Sequence, residues 1–335
     1  MFCNKIGIYR VNSINIKGEL MKLRGIDFGP VFGASGVQGF FGEEYAFHKV
    51  TDPFGKLFNG VTFVAKTTTL DKKIGNMPLK KDGITPKELF PKCIYVDFRK
   101  GVVLNAVSIS GPGAKALFED GRWQERTEPF FLSFMSVKET IEERLEELRG
   151  FLILLRRHLP LFLARIGLQI NYLCPNIGQK IKWDELVDES RTGLEMAAEL
   201  CIPLMPKLNF LTPIEVAHAI AENKHCDALC VSNTIHWGKL PDKIDWERLF
   251  GSKISPLVDF GGGGYSGAGL SPFVHDYIQE MRYAGIKKPI NAGGGILCPN
   301  DVDTLRKADS IFLGTIRIVR WWRMRKTIER AYELF

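Results

Sequence analysis

The tetrapeptide Leu-Cys-Pro-Asn occurs twice in the chain, and a cysteine thiolate is able to remove a proton from carbon near neutral pH. Cys174 lies in "INYLCPNIG", and Cys298 lies in "GGILCPNDVD". Asn171 and Asn176 flank the first cysteine, whereas the second follows glycines and precedes acidic residues. The two thiols therefore have different chemical surroundings, which depend on the elements that position them.

Polar or small residues end each of eight short apolar runs. The runs are rich in Val, Ile, Leu and Phe and alternate with longer amphipathic segments, which is typical of a parallel sheet covered by helices. They span 61–66, 102–107, 130–134, 168–172, 202–208, 228–233, 288–294 and 310–315. Their ends carry an amine, an amide, a hydroxyl or glycine: Lys66, Asn105, Ser133, Asn171, Lys207, Asn233, Gly293–Gly295 and Gly314–Thr315.

Eight such strands predict an α/β fold of the (β/α)8 class, the TIM barrel, whose active site is built at the C-terminal strand ends. A barrel of this class takes about 250 residues. We therefore assign the surplus of this 335-residue chain to an N-terminal extension at 1–60 and a long insert at 234–287, between strands 6 and 7. A single domain over 1–335 is expected. An open doubly wound sheet is the structural alternative, and the polar strand ends favour the barrel.

The composition is that of a soluble globular protein, with 45% hydrophobic and 25% charged residues and a net charge of +7. No apolar stretch has the length of a transmembrane helix, and the N-terminus does not resemble a signal peptide. Seven cysteines without a C-x-x-C pair favour free thiols in a reducing, cytoplasmic compartment and no metal site. The basic segment "RIVRWWRMRKTIER" is interpreted as a solvated helix face, so neither nucleic acid nor a membrane is an expected partner.

Two glycine turns predict a site for a phosphorylated cofactor. "NAGGGI" and "LGT" follow the last two strands, where barrels commonly hold a phosphate on backbone amides. "GGGGYSG" at 261–267 has the spacing G-x-G-x-x-G, but the following strand, "KPINAGG", lacks the acidic residue that a dinucleotide fold requires. We interpret that run as a loop in the insert that is flexible or contacts the cofactor.

Taken in chain order, these motifs resemble the dihydroorotate dehydrogenase family, in its soluble, cysteine-containing class 1, over roughly residues 26–316. The matching segments are "GASGVQGFFGEEY", "AKTTTLDKKIGNMPLK", "LNAVSISGPG", "INYLCPNIG", "MPKL", "VSNT", "NAGGGI" and "LGT". The resemblance implies an oxidoreductase that uses FMN to convert (S)-dihydroorotate to orotate in pyrimidine biosynthesis.

The resemblance also implies roles for individual residues. The substrate positions are Lys66, Asn105, Asn171, Asn176, Asn233 and Thr234. The flavin positions are Ala34, Ser35, Lys66, Thr67, Ser133, Asn171, Lys207, Gly262, Gly263, Gly294, Gly295, Gly314 and Thr315. These residue types suit the ligands, because carboxamides offer both donors and acceptors to a pyrimidine ring and lysines offset negative charge.

The resemblance also distinguishes the two cysteines. It implies that Cys174 removes the C5 proton while hydride passes from C6 to flavin N5, with Lys66 as the second catalytic residue. The following "NIGQKIKWDELVDESRTG" fits a loop that closes over the substrate. Near Cys298, Asn300 or Asp301 is expected to cap a helix, with Asp303 in its first turn, and the thiol is expected to be a small buried filler.

Departures from the family pattern leave the substrate open. Leu173 stands where the family has a small hydroxyl residue, and "VSI" at 107–109 replaces a Met-Gly-Leu type sequence. The alternatives are a related flavin oxidoreductase that acts on another dihydropyrimidine or cyclic enone, and a non-catalytic flavin- or nucleotide-binding barrel. The expected partners are a second copy in a homodimer and, as electron acceptor, fumarate, or NAD through an iron–sulfur/FAD subunit, since the chain has no cluster-type cysteine spacing.

Overall fold

A curled parallel sheet of seven strands forms the centre of the fold. The computed structural model describes residues 21–172 and 182–335. The strands of this sheet are β3 Val31–Gly33, β6 Phe130–Phe134, β7 Ile166–Asn171, β8 Leu204–Leu208, β9 Leu229–Val231, β12 Ile290–Ala292 and β13 Ser310–Leu313. Their order in the sheet is β3-β13-β12-β9-β8-β7-β6. Helices cover the sheet, so its strands are buried on both faces and read as continuous apolar runs.

One extended segment lies between the two edge strands of this sheet. Thr62 N donates to Val31 O of β3, and Gly33 N donates back to Thr62 O. On the other side, Ala65 N donates to Phe131 O of β6. The strand expected at 61–66 is this segment, which pairs through isolated bridges.

The helices follow the strands in chain order and pack in a row. Contacts run from α2 to α3, α3 to α4, α4 to α5 and α5 to α7, while α8 packs on α10. The helices are α1 Ala46–Thr51, α2 Ala114–Asp120, α3 Ile141–His158, α4 Trp183–Ala198, α5 Ile214–Glu222, α6 Trp246–Phe250, α7 Ser271–Tyr283, α8 Pro299–Asp303, α9 Thr315–Val319 and α10 Met324–Leu334. Within the described ranges, no helix has both the length and the apolar character needed to span a membrane.

Helix α3 shows how the local sequence determines where a helix begins and which face it buries. Thr140 caps its start, since its side chain accepts from Glu143 N while the Glu143 carboxylate accepts from Thr140 N. The apolar residues at helical spacing, among them Leu148, Phe151 and Leu155, are buried against the sheet. The basic residues of the last turn complement the helix dipole.

The interior of the curled sheet is filled with aromatic and aliphatic side chains. Phe32, Phe131 and Met205 are fully buried there. A short hairpin, β1 Lys22–Leu23 with β2 Ile26–Asp27, contributes Leu23 and Ile26 to the same cluster. This packed interior supports the strand ends from below.

A second sheet corrects one expected barrel strand. The segment at 102–107 was expected in the parallel sheet, but Val102–Asn105 forms β5, the neighbour of β4 Ile94–Asp97 and β11 Gly264–Gly267 in an antiparallel sheet of four strands. The short turn between β4 and β5 is the reason, because parallel neighbours need a crossover of a dozen or more residues. β10 Ile235–His236 completes this sheet.

The N-terminal region supplies the parallel strand that the sequence did not predict. β3 lies within the expected extension at 1–60, yet it pairs in parallel with β13. A strand of three residues is too short to show strand periodicity. The run at 102–107 was therefore counted among the eight parallel strands in place of β3. The insert at 234–287 holds β10, α6, β11 and α7.

Candidate functional site

A cavity of about 270 Å³ lies at the carboxyl ends of the parallel strands. We call one side of it the strand-end wall, because its residues lie at or shortly after the ends of the strands of the curled sheet or belong to the extended segment between the edge strands. The strand-end wall comprises Ala34, Ser35, Lys66, Thr67, Asn171, Lys207, Asn233, Thr234, Gly293–Gly295, Gly314 and Thr315. The volume of the cavity is close to the lower end of the range for small-molecule pockets, roughly 300 Å³.

The structure brings most of the predicted site residues into this one cavity. Asn105 also lines it, although from the antiparallel sheet. Ser133 lies behind the lining, and Gly262 and Gly263 are not among the lining residues. Cys174 and Asn176 lie outside the described residues.

The opposite side was not predicted, and we call it the α1 wall. It consists of Tyr45, Phe47, His48, Ile94 and Val103, from the start of α1 and from strands β4 and β5. Tyr45 ends the segment "GASGVQGFFGEEY" and Val103 lies in the run 102–107, but none of the five residues was assigned to the site, because only the packing of the hairpin and helix brings them to the cavity. The α1 wall is largely apolar.

Ser266 is a further lining residue that the sequence assignment missed by a few positions. It belongs to β11, where Tyr265 is buried on the other face of the strand. Thr315 Oγ1 donates to Ser266 Oγ over 3.0 Å. The alternation of β11 would have identified Ser266, had the glycine-rich run been interpreted as a strand.

The first glycine turn requires residues without side chains. Gly295 has a φ of +82°, and a Cβ there would lie 2.4 Å from the backbone nitrogen of Ser271. A Cβ on Gly293 would lie 2.6 Å from the Phe312 ring. The backbone thus comes close to the cavity and to its neighbours, as a cradle for an anionic group requires.

Lys66 is the most perturbed titratable group of the cavity. Its ammonium donates to Ser110 O and lies 4.4 Å from the centre of the Phe40 ring. Burial lowers the pKa of Lys66 to about 7, although Glu43 nearby opposes this shift. An anion bound in the cavity would restore the charged form, because it supplies the missing counter-charge.

The cavity is adapted to negative charge as a whole. Lys207, at the end of β8, is a second buried lysine in the lining and lies 5.7 Å from the centre of the Phe312 ring. Among the described residues, no Asp or Glu side chain belongs to the lining. A bound anion would therefore meet lysines without competing carboxylates in the wall.

The asparagines hold one another in place. Asn233 Nδ2 donates to Asn171 Oδ1 over 3.2 Å, and Thr234 N donates to Asn233 Oδ1 over 3.0 Å. Asn105 Nδ2 donates to Gly264 O over 3.4 Å. The carboxamides are thus oriented before any ligand binds, and such groups suit a ring with both carbonyl and N–H groups.

A chain of hydroxyl groups lies along the strand-end wall. Ser35 Oγ donates to Ala65 O over 2.8 Å and lies 2.9 Å from Thr67 Oγ1. Thr67 Oγ1 is also 2.9 Å from Ser133 Oγ, which donates to Gln169 Oε1 over 3.3 Å. Ser133, predicted as a flavin position, thus supports Thr67 from behind.

A buried ion pair links the α1 wall to the strand-end wall. Arg317 of α9 donates to Glu44 Oε2 through Nε and Nη2, at 3.1 and 2.7 Å. It also donates to Thr51 Oγ1 and to His48 O, at 2.8 and 3.0 Å. Because α9 starts at Thr315, one guanidinium fixes α1 relative to the second glycine turn.

Cys298 lies outside the cavity lining, and the expected helix cap beside it was wrong. Cys298 itself is the residue before α8, and Asp301 lies inside the helix. The Asp301 carboxylate accepts from Leu297 N and Cys298 N, at 2.7 and 2.9 Å. The thiol is half-buried, and Asp303 lies at the end of α8 because the helix has a single turn.

Comparisons with known families and with curated proteins gave no match.

Proposed function

We propose that the chain is an FMN-dependent oxidoreductase of the dihydroorotate dehydrogenase type that converts (S)-dihydroorotate to orotate. The observation that carries the proposal is the convergence, in one cavity, of two buried lysines, oriented carboxamides and two glycine turns. These residues come from segments spread over most of the chain. Their order along it is the order of the motifs that resemble the family.

The finer architecture belongs to the same proposal. The segment 62–68 hydrogen bonds to β3 through Thr62 and to β6 through Ala65 and Thr68. We propose that it serves as the eighth strand and closes the curled sheet into a (β/α)8 barrel. This closure places Lys66 and Thr67 at a strand end like the other lining residues.

The residues of the cavity fit FMN by their chemistry. The turns at Gly294–Gly295 and Gly314–Thr315 would hold its phosphate on backbone amides. Lys66 and Lys207 would offset the negative charge of its reduced form, and Ser35 and Thr67 would offer it hydroxyl groups. Bound FMN supplies the acceptor for the hydride that leaves C6 of the substrate.

The chain's own residues would carry out the remaining steps. Asn105, Asn171 and Asn233 would hold the flat ring through paired donors and acceptors, and Asn176 and Thr234 are the further proposed substrate residues. Lys66 would pair with the substrate carboxylate. Cys174 is the proposed base that removes the C5 proton.

Partners and acceptor remain part of the proposal. A homodimer in the cytoplasm would pass electrons to fumarate, or to NAD through a partner subunit. Substrate identity depends most on the loop after β5. Ser108 and Ile109 both line the cavity and both have left-handed backbone, with φ of +54° and +56°. This loop is the observation that favours another dihydropyrimidine or a cyclic enone as the second candidate substrate.

An anaerobic absorbance scan before and after adding L-dihydroorotate tests the proposal. We expect a flavin band that bleaches with substrate. Cys174→Ala is expected to keep the flavin and to slow its reduction by about 10²-fold or more near neutral pH. Cys298→Ala is the matched control, because that thiol lies outside the cavity.

The outcomes separate the parts of the proposal. A flavin that stays oxidised with dihydroorotate leaves the cofactor and moves the substrate to the second candidate. Equal slowing in both cysteine variants contradicts Cys174 as the base. A protein that binds no FMN refutes the proposed function.

A further inference from the structure

Arg317 carries a buried charge that the proposed chemistry does not use. Its side chain is 0% exposed, and it does not belong to the cavity lining. Burying a guanidinium costs free energy, and a well-packed apolar pair of similar volume is often as stable as a buried ion pair. Stability alone therefore does not explain this charge, and the partners of Arg317 indicate another role.

The guanidinium makes four hydrogen bonds to the segment 44–51. Nε and Nη2 donate to Glu44 Oε2 over 3.1 and 2.7 Å. Nη1 donates to Thr51 Oγ1 over 2.8 Å, and Nη2 donates to His48 O over 3.0 Å. The N–H groups of a guanidinium point in fixed directions within one plane. These bonds therefore fix both the position and the orientation of the Arg317 side chain.

The same bonds hold the backbone that follows the second glycine turn. Arg317 N donates to Gly314 O over 3.0 Å, so the guanidinium is attached within one turn of the lining residues Gly314 and Thr315. Gly314 has no side chain to anchor it, and Thr315 Oγ1 donates to Ser266 Oγ over 3.0 Å. The direction of the N–H groups in this turn therefore depends on how firmly α9 is held, and Arg317 holds α9.

The charge of Arg317 is balanced where it lies. Glu44 is its ion-pair partner, and the Glu44 side chain is 12% exposed. Burial lowers the pKa of His48 from its ordinary value, so the imidazole beside the pair is neutral at neutral pH. An effect of Arg317 on an anion at the glycine turn would therefore come from the position of the turn and not from excess positive charge.

We infer that Arg317 is a positioning residue for the second glycine turn, and that it makes the cavity prefer a flavin with a phosphate over a flavin without one. The inference rests on the proposed function, which places the FMN phosphate on this turn. By holding Glu44, Thr51 and His48 together, the guanidinium keeps the N–H groups of Gly314–Thr315 in place before the ligand arrives. Donors that are already in place bind an anion at a smaller entropic cost.

Binding of FMN and of riboflavin to the full-length, flavin-depleted protein tests the inference. The two ligands share the ring and the ribityl chain and differ only in the phosphate. The double variant Arg317→Met/Glu44→Gln removes both charges, so the net charge of the cluster does not change. We expect the Kd of FMN to rise about tenfold more than the Kd of riboflavin, because charge-assisted hydrogen bonds from the turn are weakened. Fluorescence quenching gives both constants.

A second buried ion pair provides the matched control. Arg144 of α3 donates to Glu189 of α4 through Nε and Nη2, and the two side chains are 13% and 11% exposed. The double variant Arg144→Met/Glu189→Gln removes a pair of the same kind outside the lining of the cavity, and it should leave the ratio of the two Kd values unchanged. Arg317→Lys keeps the charge but loses the planar set of donors, so its ratio should lie between those of the wild type and the Arg317→Met/Glu44→Gln variant.

The outcomes distinguish this inference from the proposed function. A wild-type protein that binds neither flavin overturns both. Tight binding of FMN by the wild type, with an equal loss for FMN and riboflavin in the Arg317→Met/Glu44→Gln variant or with no loss, overturns the role of Arg317 alone. If that variant does not fold, as circular dichroism would show, Arg317→Lys replaces it. An unchanged ratio of the two Kd values in Arg317→Lys then overturns the inference.

Discussion

The two walls of the cavity are built by different physical rules. The strand-end wall gathers residues from 34 to 315 because neighbouring parallel strands end at the same edge of a sheet. The α1 wall gathers residues from 45 to 103 through an antiparallel hairpin and a single short helix. The first wall is polar and the second is largely apolar. The difference teaches that the order of the parallel strands positions most of the polar lining residues, whereas the shape of the remaining space depends on local packing.

Replacing Lys66, the lysine of the strand-end wall whose pKa is lowered, should have the largest effect. Burial lowers the pKa of Lys66 from 10.5 to about 7, so between these pH values the unfolded chain binds more protons than the folded one. The free energy of unfolding of the flavin-free wild type should therefore rise with pH across this range, relative to Lys66→Met, by up to about 1.4 kcal/mol per pH unit. Urea unfolding at several pH values measures it.

The exposed Lys253→Met variant is the control for Lys66→Met, because its side chain is 82% exposed. In this control the free energy of unfolding should change with pH as it does in the wild type. If the free energy of unfolding of wild type and of Lys66→Met changed equally with pH, Lys66 would retain its proton in the folded, empty cavity. The polar character of the strand-end wall would then include a permanent buried charge.

A smaller effect is expected from a methyl group in the glycine turn. Gly295→Ala places a Cβ 2.4 Å from Ser271 N, whereas Gly285→Ala, at a similar φ of +87°, meets no atom within 4 Å. Both variants should lose about 1 kcal/mol of stability from the left-handed backbone, and Gly295→Ala should lose more because of the close approach to Ser271 N. Only Gly295→Ala should weaken FMN binding, by roughly tenfold or more, because the turn must shift. Equal FMN affinity in both variants would show that this turn is not part of the cofactor site.

The smallest effect is expected in the loop after β5. Ser108 has a φ of +54°, and its Oγ is 3.5 Å from Asn76 Nδ2. Ser108→Gly should be more stable than Ser108→Ala by about 1 kcal/mol, because only glycine adopts this backbone without strain. Thermal unfolding of the pair measures the difference. Equal stability would indicate that this part of the cavity is held less firmly than the strand-end wall.

Sequence patterns predicted the polar residues because those residues follow recognisable strands. The run at 130–134 is β6 with the predicted bounds, and the runs that end at Asn171 and Lys207 are β7 and β8. Continuous apolar runs are characteristic of strands covered on both faces, so the parallel core was readable. The cavity lining at Lys66, Asn233 and the two glycine turns followed from the same rule.

The rest required information that is not local. Val31–Gly33 has only three residues, too few for a periodic signal, and the apolar run at 102–107 has the composition of a barrel strand. Only its pairing with β4 and β11 places it in the other sheet. His48 was not predicted for the same reason, since its place in the cavity lining depends on contacts with Glu44 and Arg317, and Arg317 lies far away in sequence.

The hydroxyl chain of Ser35, Thr67 and Ser133 can change its hydrogen-bond direction when the charge in the cavity changes. Ser35 and Ser133 give their hydrogens to Ala65 O and Gln169 Oε1, so Thr67 has one hydrogen for two acceptors, each 2.9 Å away. Two arrangements of equal length are therefore open to it. The dipole of this hydroxyl chain can therefore reverse by rotation of the Thr67 hydroxyl while every heavy atom stays in place. If the proposed flavin binds there, a change in its charge would meet a wall that adjusts by this rotation alone.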